Sequence, residues 1–353
     1  MRVPAHTLRC MTSCVHGIGE IVAYLPYELG FVPRRCLVVI GIRGGHVCLA
    51  ARFDRPTSAE APGVAAQVVS AFARCDPDEV LVVGYDGFGA ADRLFVLELS
   101  DLLRGISADI SHVVLVRNAV AQWRAEQCSC DACPREWAAV PPATGVGPVA
   151  ERVARGVVPA EHRADLVRRL EVRHPLVASA VEARITAREA LPIDTAQVLP
   201  RVMLDGLTPV HSVPVDTLAA ATVAVSSIQV RDQVLSWLMP DFLPGDLIEV
   251  DAPIDPHHLG LPPMWLREID SFDDPVATIG RRLEDWVACI PPRRSVPVLM
   301  LLAGIRWTSG DGVLASIAVE RALDIDHRCS LAHLFARALD AGLRPGDGQQ
   351  RPA

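Results

Sequence analysis

Three short, almost unbroken apolar runs constrain this chain more than any other feature. They are "CLVVIGI" (Cys36 to Ile42), "VLVVGYDG" (Val80 to Gly87) and "HVVLVRN" (His112 to Asn118). Each is rich in β-branched residues, too short for a buried helix and bounded by turn formers or charge, which is the pattern of a strand covered on both faces. Such strands usually belong to parallel sheets. "HVCLAARFD" (His46 to Asp54) follows the first run across Gly44-Gly45, which predicts a β-hairpin at one sheet edge. Helical patterns separate the runs. "TSAE" (Thr57 to Glu60) has capping-box spacing, and Val64, Val68, Val69 and Phe72 fall on one helical face after it. Ala90 to Arg104 carries an apolar stripe of Phe95, Leu99 and Leu102. The order strand, helix, strand, helix, strand predicts an α/β fold with a doubly wound, mostly parallel sheet and an antiparallel edge hairpin over residues 1–140.

From about residue 141 the pattern turns helical. Segments 150–156, 159–171, 178–191 and 215–239 read as helices, the last as one long helix or a pair, and Pro159 suits a first helical turn. Residues 240–275 are dense in proline and aspartate and read as a long loop. Four helices follow, around 276–290, 296–308, 313–325 and 330–341. Ala315, Ala318 and Ala322 recur three and four apart, which lets helices approach closely, and "AVERALDID" (Ala318 to Asp326) gives the C-terminal hairpin a tetratricopeptide-like look. The expectation is a mainly helical domain over 141–353.

Composition excludes several function classes. The chain of 353 residues has a net charge of -8 and only 5% aromatic residues, so neither the positive field nor the stacking surface of a nucleic-acid binder is expected. All 34 basic residues are arginine. A P-loop lysine and Schiff-base chemistry are therefore impossible, and any anion must be met by arginine or by backbone amides. The longest apolar run, Val296 to Ile305, is too short to span a bilayer, so no membrane association is expected. Ten cysteines at irregular spacing, without a signal-peptide core at the N-terminus, read as reduced thiols in a cytoplasm.

Two candidate sites emerge. Cys128, Cys130 and Cys133 form a C-x-C-x-x-C turn, whose soft thiolates at that spacing suit zinc. The fourth ligand is not supplied locally. His112 opens the preceding strand, and a strand running straight into the turn would leave it at the far end, so it is set aside. Cys10, Cys14 and His16 could complete the set only if the N-terminus folds back. The second site lies at the carboxyl ends of the strands, where open α/β sheets bind ligands. There Asp54, Asp86, Arg117 and Asn118 would form a polar crescent for a small ligand.

Two stretches carry a family likeness: "IVAYLPYELGFVPRRCLVVIGI" (Ile21 to Ile42) and the C-terminal segment from Leu301 to Pro345. With Pro26, Leu29, Gly30, Phe31 and Pro33 before the first strand, Arg231-Asp232 in a middle helix, and Trp123, Cys130, Cys133 and Pro134, the chain resembles the actinobacterial family called domain of unknown function 4192. The resemblance implies the fold layout and supplies no mechanism. The functional expectation is a non-catalytic binding or adaptor protein that contacts a protein partner through its helical half; the alternative is an enzyme or small-ligand sensor using the strand-end crescent. No motif decides between them, and none sets the oligomeric state.

Overall fold

The computed structural model describes residues 7–9, 14–44, 46–130, 132–154, 156–187, 194–240, 243 and 275–343. The chain forms two compact units, the first running to Arg163 and taking in Asp340–Leu343, the second running from Ala164 to Leu339.

The first unit opens with β1 (Thr7–Arg9) and β2 (Cys14–His16), an antiparallel pair, and then α1 (Ile18–Leu29). The sheet is built from β3 (Cys36–Arg43), β4 (His46–Asp54), β5 (Glu79–Tyr85), β6 (Asp109–Arg117), β7 (Gln122–Cys128) and β8 (Ala138–Ala139). Its strand order is β4-β3-β5-β6-β7-β8. Helices α2 (Ala61–Cys75) and α3 (Ala90–Leu103) fall between strands, and α4 (Gly147–Ala154) follows β8.

The sheet is mixed, which corrects the expectation of a mostly parallel one. Among the described strands of this sheet only β5 and β6 pair in parallel; β3 with β4, β3 with β5, β6 with β7 and β7 with β8 are all antiparallel. The physical reason is that an unbroken apolar run reports coverage of both faces, and says nothing of strand direction. Coverage is what the structure shows. Cys36 to Ile40 of β3 and Val80 to Val83 of β5 are all at most 1% exposed. One face packs Leu37, Val39, Val80 and Val82 against Phe72 of α2 and Phe95, Leu99 and Leu103 of α3. On the other face Gly19 of α1 lies against the ring of Trp123 from β7, so closely that a Cβ there would come within 3.0 Å.

The second unit, among the described residues, is helical: α5 (Arg163–Arg169), α6 (Pro175–Thr186), α7 (Thr195–Met203), α8 (Val215–Ser226), α9 (Ile228–Leu238), α10 (Pro275–Ala288), α11 (Pro292–Thr308), α12 (Gly312–Ile325) and α13 (Ser330–Asp340). The 215–239 segment is thus a pair, broken at Ser227. Pro159 precedes its helix by four residues and does not sit in the first turn, because residues 157–159 are outside any helix and Ala160 is taken up by a bridge to Phe31. The expected end of α6 beyond 187 and most of the 240–275 loop lie outside the described residues.

Helix α11 is apolar all round and buried accordingly, with Val298 to Ala303 at 0% exposure. Ala315, Ala318 and Ala322 of α12 are likewise at 0%. Trp286 and Arg282 carry polar groups into this interior, and both are bonded. Trp286 Nε1 donates to Thr222 Oγ1 at 3.1 Å, and that hydroxyl donates to the Leu218 carbonyl at 2.7 Å. The Arg282 guanidinium donates to the carbonyls of Val202, Thr208 and Arg201 at 2.7–2.9 Å, which satisfies a buried cation at the end of α7. Among the described residues no helix is long and apolar enough to cross a membrane.

Candidate metal centre

Strand β6 does not run into the cysteine turn. A short 3₁₀ turn (Asn118–Val120) and Ala121 at φ 45° reverse the chain, and β7 returns antiparallel along β6. The register sets Arg117 opposite Gln122 and His112 opposite Cys128. The turn after β7 therefore lies beside the start of β6. The reason for setting His112 aside is overturned: the residue at the far end of one strand is the neighbour of the cysteines on the next. "QWRAEQC" held the signal, since Trp123 and Ala125 alternate with partly exposed Gln122, Arg124 and Glu126 as a strand should.

A second local feature aims the imidazole. Val80 pairs with Ile110 and Leu81 with His112, so Ser111 is an extra residue in β6. Such a bulge moves every later side chain to the opposite face. Ile110 and Val113 stay with the α2–α3 core, whereas His112, opposite Leu81, turns to the other face, where Cys128 faces it.

The side chains converge. One ligand atom from each of His112, Cys128, Cys130 and Cys133 lies within 4.8 Å of the other three. Cys130 Sγ is 3.1 Å from Cys128 Sγ, 3.6 Å from Cys133 Sγ and 3.5 Å from His112 Nε2. A tetrahedral zinc ion with Zn–S near 2.3 Å and Zn–N near 2.05 Å would hold its sulfurs about 3.8 Å apart and a sulfur and nitrogen about 3.6 Å apart. The set fits one ion if the ligand atoms shift by up to about an ångström. His112 and Cys133 are buried, while Cys128 and Cys130 are half-buried.

The surroundings favour ligation as well. Ser111 Oγ lies 3.3 Å from the Val80 carbonyl and 2.9 Å from His112 Nδ1. In the tautomer with the proton on Nδ1, that nitrogen donates to the hydroxyl oxygen and the Nε2 lone pair faces the sulfurs, the form a metal ligand needs. The Cys130 amide donates to Cys128 Sγ at 3.2 Å. Burial raises the Cys128 thiol above its ordinary value, and burial followed by the neighbouring thiols raises Cys133 further. Burial also acts against the Cys130 thiolate, but hydrogen bonds from Cys128, the Ala132 amide and Cys133 outweigh it and leave this thiol below its ordinary value. Cys10 lies outside the described residues, as do the side chains of Cys14 and His16.

The residues of the expected crescent sit at one edge, since β4, β5 and β6 end on the same side. Their polar groups are engaged with the protein itself. Asp86 accepts from the Asn118 amide at 3.1 Å, and Asn118 Nδ2 donates to the Pro33 carbonyl. Asp54 pairs with Arg52 at 2.6 Å, and the Arg117 guanidinium stacks 3.9 Å above the Trp137 ring. Arg55, the neighbour of Asp54 at the end of β4, binds this edge together. It donates to the carbonyls of Tyr85 (2.7 Å) and Gly87 and lies 3.6 Å from Asp92, which in turn accepts from the Gly89 amide at 2.7 Å.

The family described as Domain of unknown function (DUF4192) matches residues 19–243 and 279–346, most of the chain and all four residues of the cluster. The chain belongs to that family. No curated protein and no solved structure matches it. The family's description names no activity.

Proposed function

We propose that the protein is a cytoplasmic, non-catalytic binding or adaptor protein whose sheet is fastened by a zinc ion held by Cys128, Cys130, Cys133 and His112. The observation that carries this reading is the convergence of those four ligand atoms within 4.8 Å, with His112 Nδ1 2.9 Å from the Ser111 hydroxyl and Nε2 3.5 Å from Cys130 Sγ. Four protein ligands fill a tetrahedron, the pattern of structural zinc rather than of a catalytic ion, which keeps a position open for water. Three thiolates and an imidazole suit zinc and disfavour magnesium or calcium. The ion would tie together the start of β6, the end of β7 and the turn before β8. In the helical half, the hairpin of α12 and α13, which we read as tetratricopeptide-like, is the element offered to a protein partner.

The strand-end alternative draws less support, because Asp54, Asp86, Arg117 and Asn118 each already bond or stack within the chain.

Elemental analysis of protein purified without chelator or affinity histidines, combined with thermal unfolding, tests the proposal. The expected result is zinc in stoichiometric amount, lost in Cys130→Ser and His112→Ala together with folded stability. Zinc that is absent even after reconstitution under reducing conditions contradicts the proposal. Zinc lost by a variant that melts unchanged contradicts the structural role.

A further inference from the structure

We propose that Cys48 and Cys75 form a second thiol site, a reversible dithiol–disulfide pair that takes low-molecular-weight disulfides as its oxidant. The two sulfurs lie 3.0 Å apart, about an ångström beyond the ~2.05 Å of an S–S bond. They come from different elements, the edge strand β4 and the last residue of α2.

Two local features bring them together. Gly41 pairs with Leu49 and Ile42 with Val47, so Cys48 is the extra residue of a bulge in β4. A bulge leaves its residue out of the ladder and re-aims it. Opposite it, a Cβ on Gly41 would meet the Cys48 sulfur at 3.0 Å, so glycine makes the room the thiol needs. On the helix side, Asp76 at φ 48° ends α2 directly after Cys75, whose thiol also reaches the Phe72 carbonyl at 3.5 Å.

Cys36 and Cys289 are buried, and Cys128, Cys130 and Cys133 belong to the other cluster, whereas Cys48, Cys75 and Cys329 are half-buried; the sulfurs of Cys48 and Cys75 are the two of these three that the structure sets in contact. In the first step one protein thiolate attacks a small disulfide, RS–SR. The S–S bond breaks, one RS group leaves and takes a proton, and a mixed disulfide remains on the protein. The second protein thiol then attacks the protein sulfur of that bond and releases the other RS as RSH. The protein loses two electrons and two protons, and both are found in two molecules of RSH. The product joins β4 to α2, and a dithiol reductant reverses it.

The test is oxidation of the full-length folded protein with oxidised glutathione, alkylation of the remaining thiols and peptide mass mapping, with Cys75→Ser treated in parallel. The expected product links the Cys48 and Cys75 peptides with loss of two hydrogens and is undone by dithiothreitol. In Cys75→Ser, Cys48 is expected to keep glutathione as a mixed disulfide. Full alkylation of both cysteines after oxidation overturns the proposal, and so does a mixed disulfide in the unaltered protein that never resolves into the pair. Should Cys75→Ser fail to fold, Cys75→Ala serves the same comparison, and the linked peptides of the unaltered protein decide the question alone.

Discussion

At Ser111 one additional residue in β6 decides which face the imidazole of His112 takes, and the Ser111 hydroxyl then holds the ring by Nδ1. Partners of this kind usually matter about 10–100-fold in metal affinity. Ser111→Ala keeps the backbone and removes only the acceptor. Zinc affinity, read by competition with a chromophoric chelator, is therefore expected to fall about 10- to 100-fold with little change in the fold. An unchanged affinity would mean that the hydroxyl does not position the ring. The thiols set the pH dependence. In the metal-free protein, burial keeps Cys128 and Cys133 protonated well past neutrality, so zinc must displace their protons. Affinity is expected to rise with pH, and calorimetry in buffers of different ionisation enthalpy should detect net proton release on binding. No proton release at neutral pH would contradict thiolate ligation.

At the scale of elements, the sequence disclosed more of the helices and strands than of their pairing. The runs at 36–42, 80–87 and 112–118 became β3, β5 and β6, and the four C-terminal helices fall within a few residues of α10 to α13. Periodicity reports these directly, because it records which faces are covered. It does not record direction, and so a mixed sheet was read as a mostly parallel one. The same gap hid the fourth ligand. His112 and Cys128 are sixteen positions apart and meet only because Asn118 to Ala121 turns tightly, a turn that lacks the usual Gly or Pro. Helix α7 was missed because it is short and carries Pro200 inside it. Glu182 clamps α6 to α11, accepting from Arg293 at 2.7 Å and from Arg294 at 3.2 Å. The hydrogen bond from Arg294 is the main reason its carboxyl lies below the ordinary value, with burial opposing. A depressed carboxyl contributes stability above its unfolded value, and that contribution fades as pH falls through about 4 and below. Glu182→Gln is expected to lower stability by about 0.5–1 kcal/mol at neutral pH, since Arg293 is exposed and Arg294 partly so, and the deficit should vanish in acid. Denaturant unfolding of both proteins at the two pH values checks this, and a deficit independent of pH would rule out the charge as its cause.

At the scale of the whole molecule, the two compact units differ in what holds them. The second rests on apolar burial around α11 and on bonded interior groups such as Arg282 and Trp286. The first has a core between β3, β5, α2 and α3 to which β7, β8 and the cysteine turn contribute no residue, and β8 is only two residues long. A structural ion would matter most there. Chelation under reducing conditions is expected to speed amide hydrogen exchange in β6, β7 and the turn about tenfold or more while leaving α10 to α13 unchanged. Uniform acceleration across both units, or none in β7, would show that the ion does not hold that side of the sheet.

The most direct measurement is X-ray absorption at the zinc edge on the purified, reduced protein. Three sulfurs near 2.3 Å and one nitrogen near 2.0 Å are predicted, with the nitrogen shell altered in His112→Ala. A shell of oxygen and nitrogen alone, or a sample that holds no zinc to measure, would contradict the account.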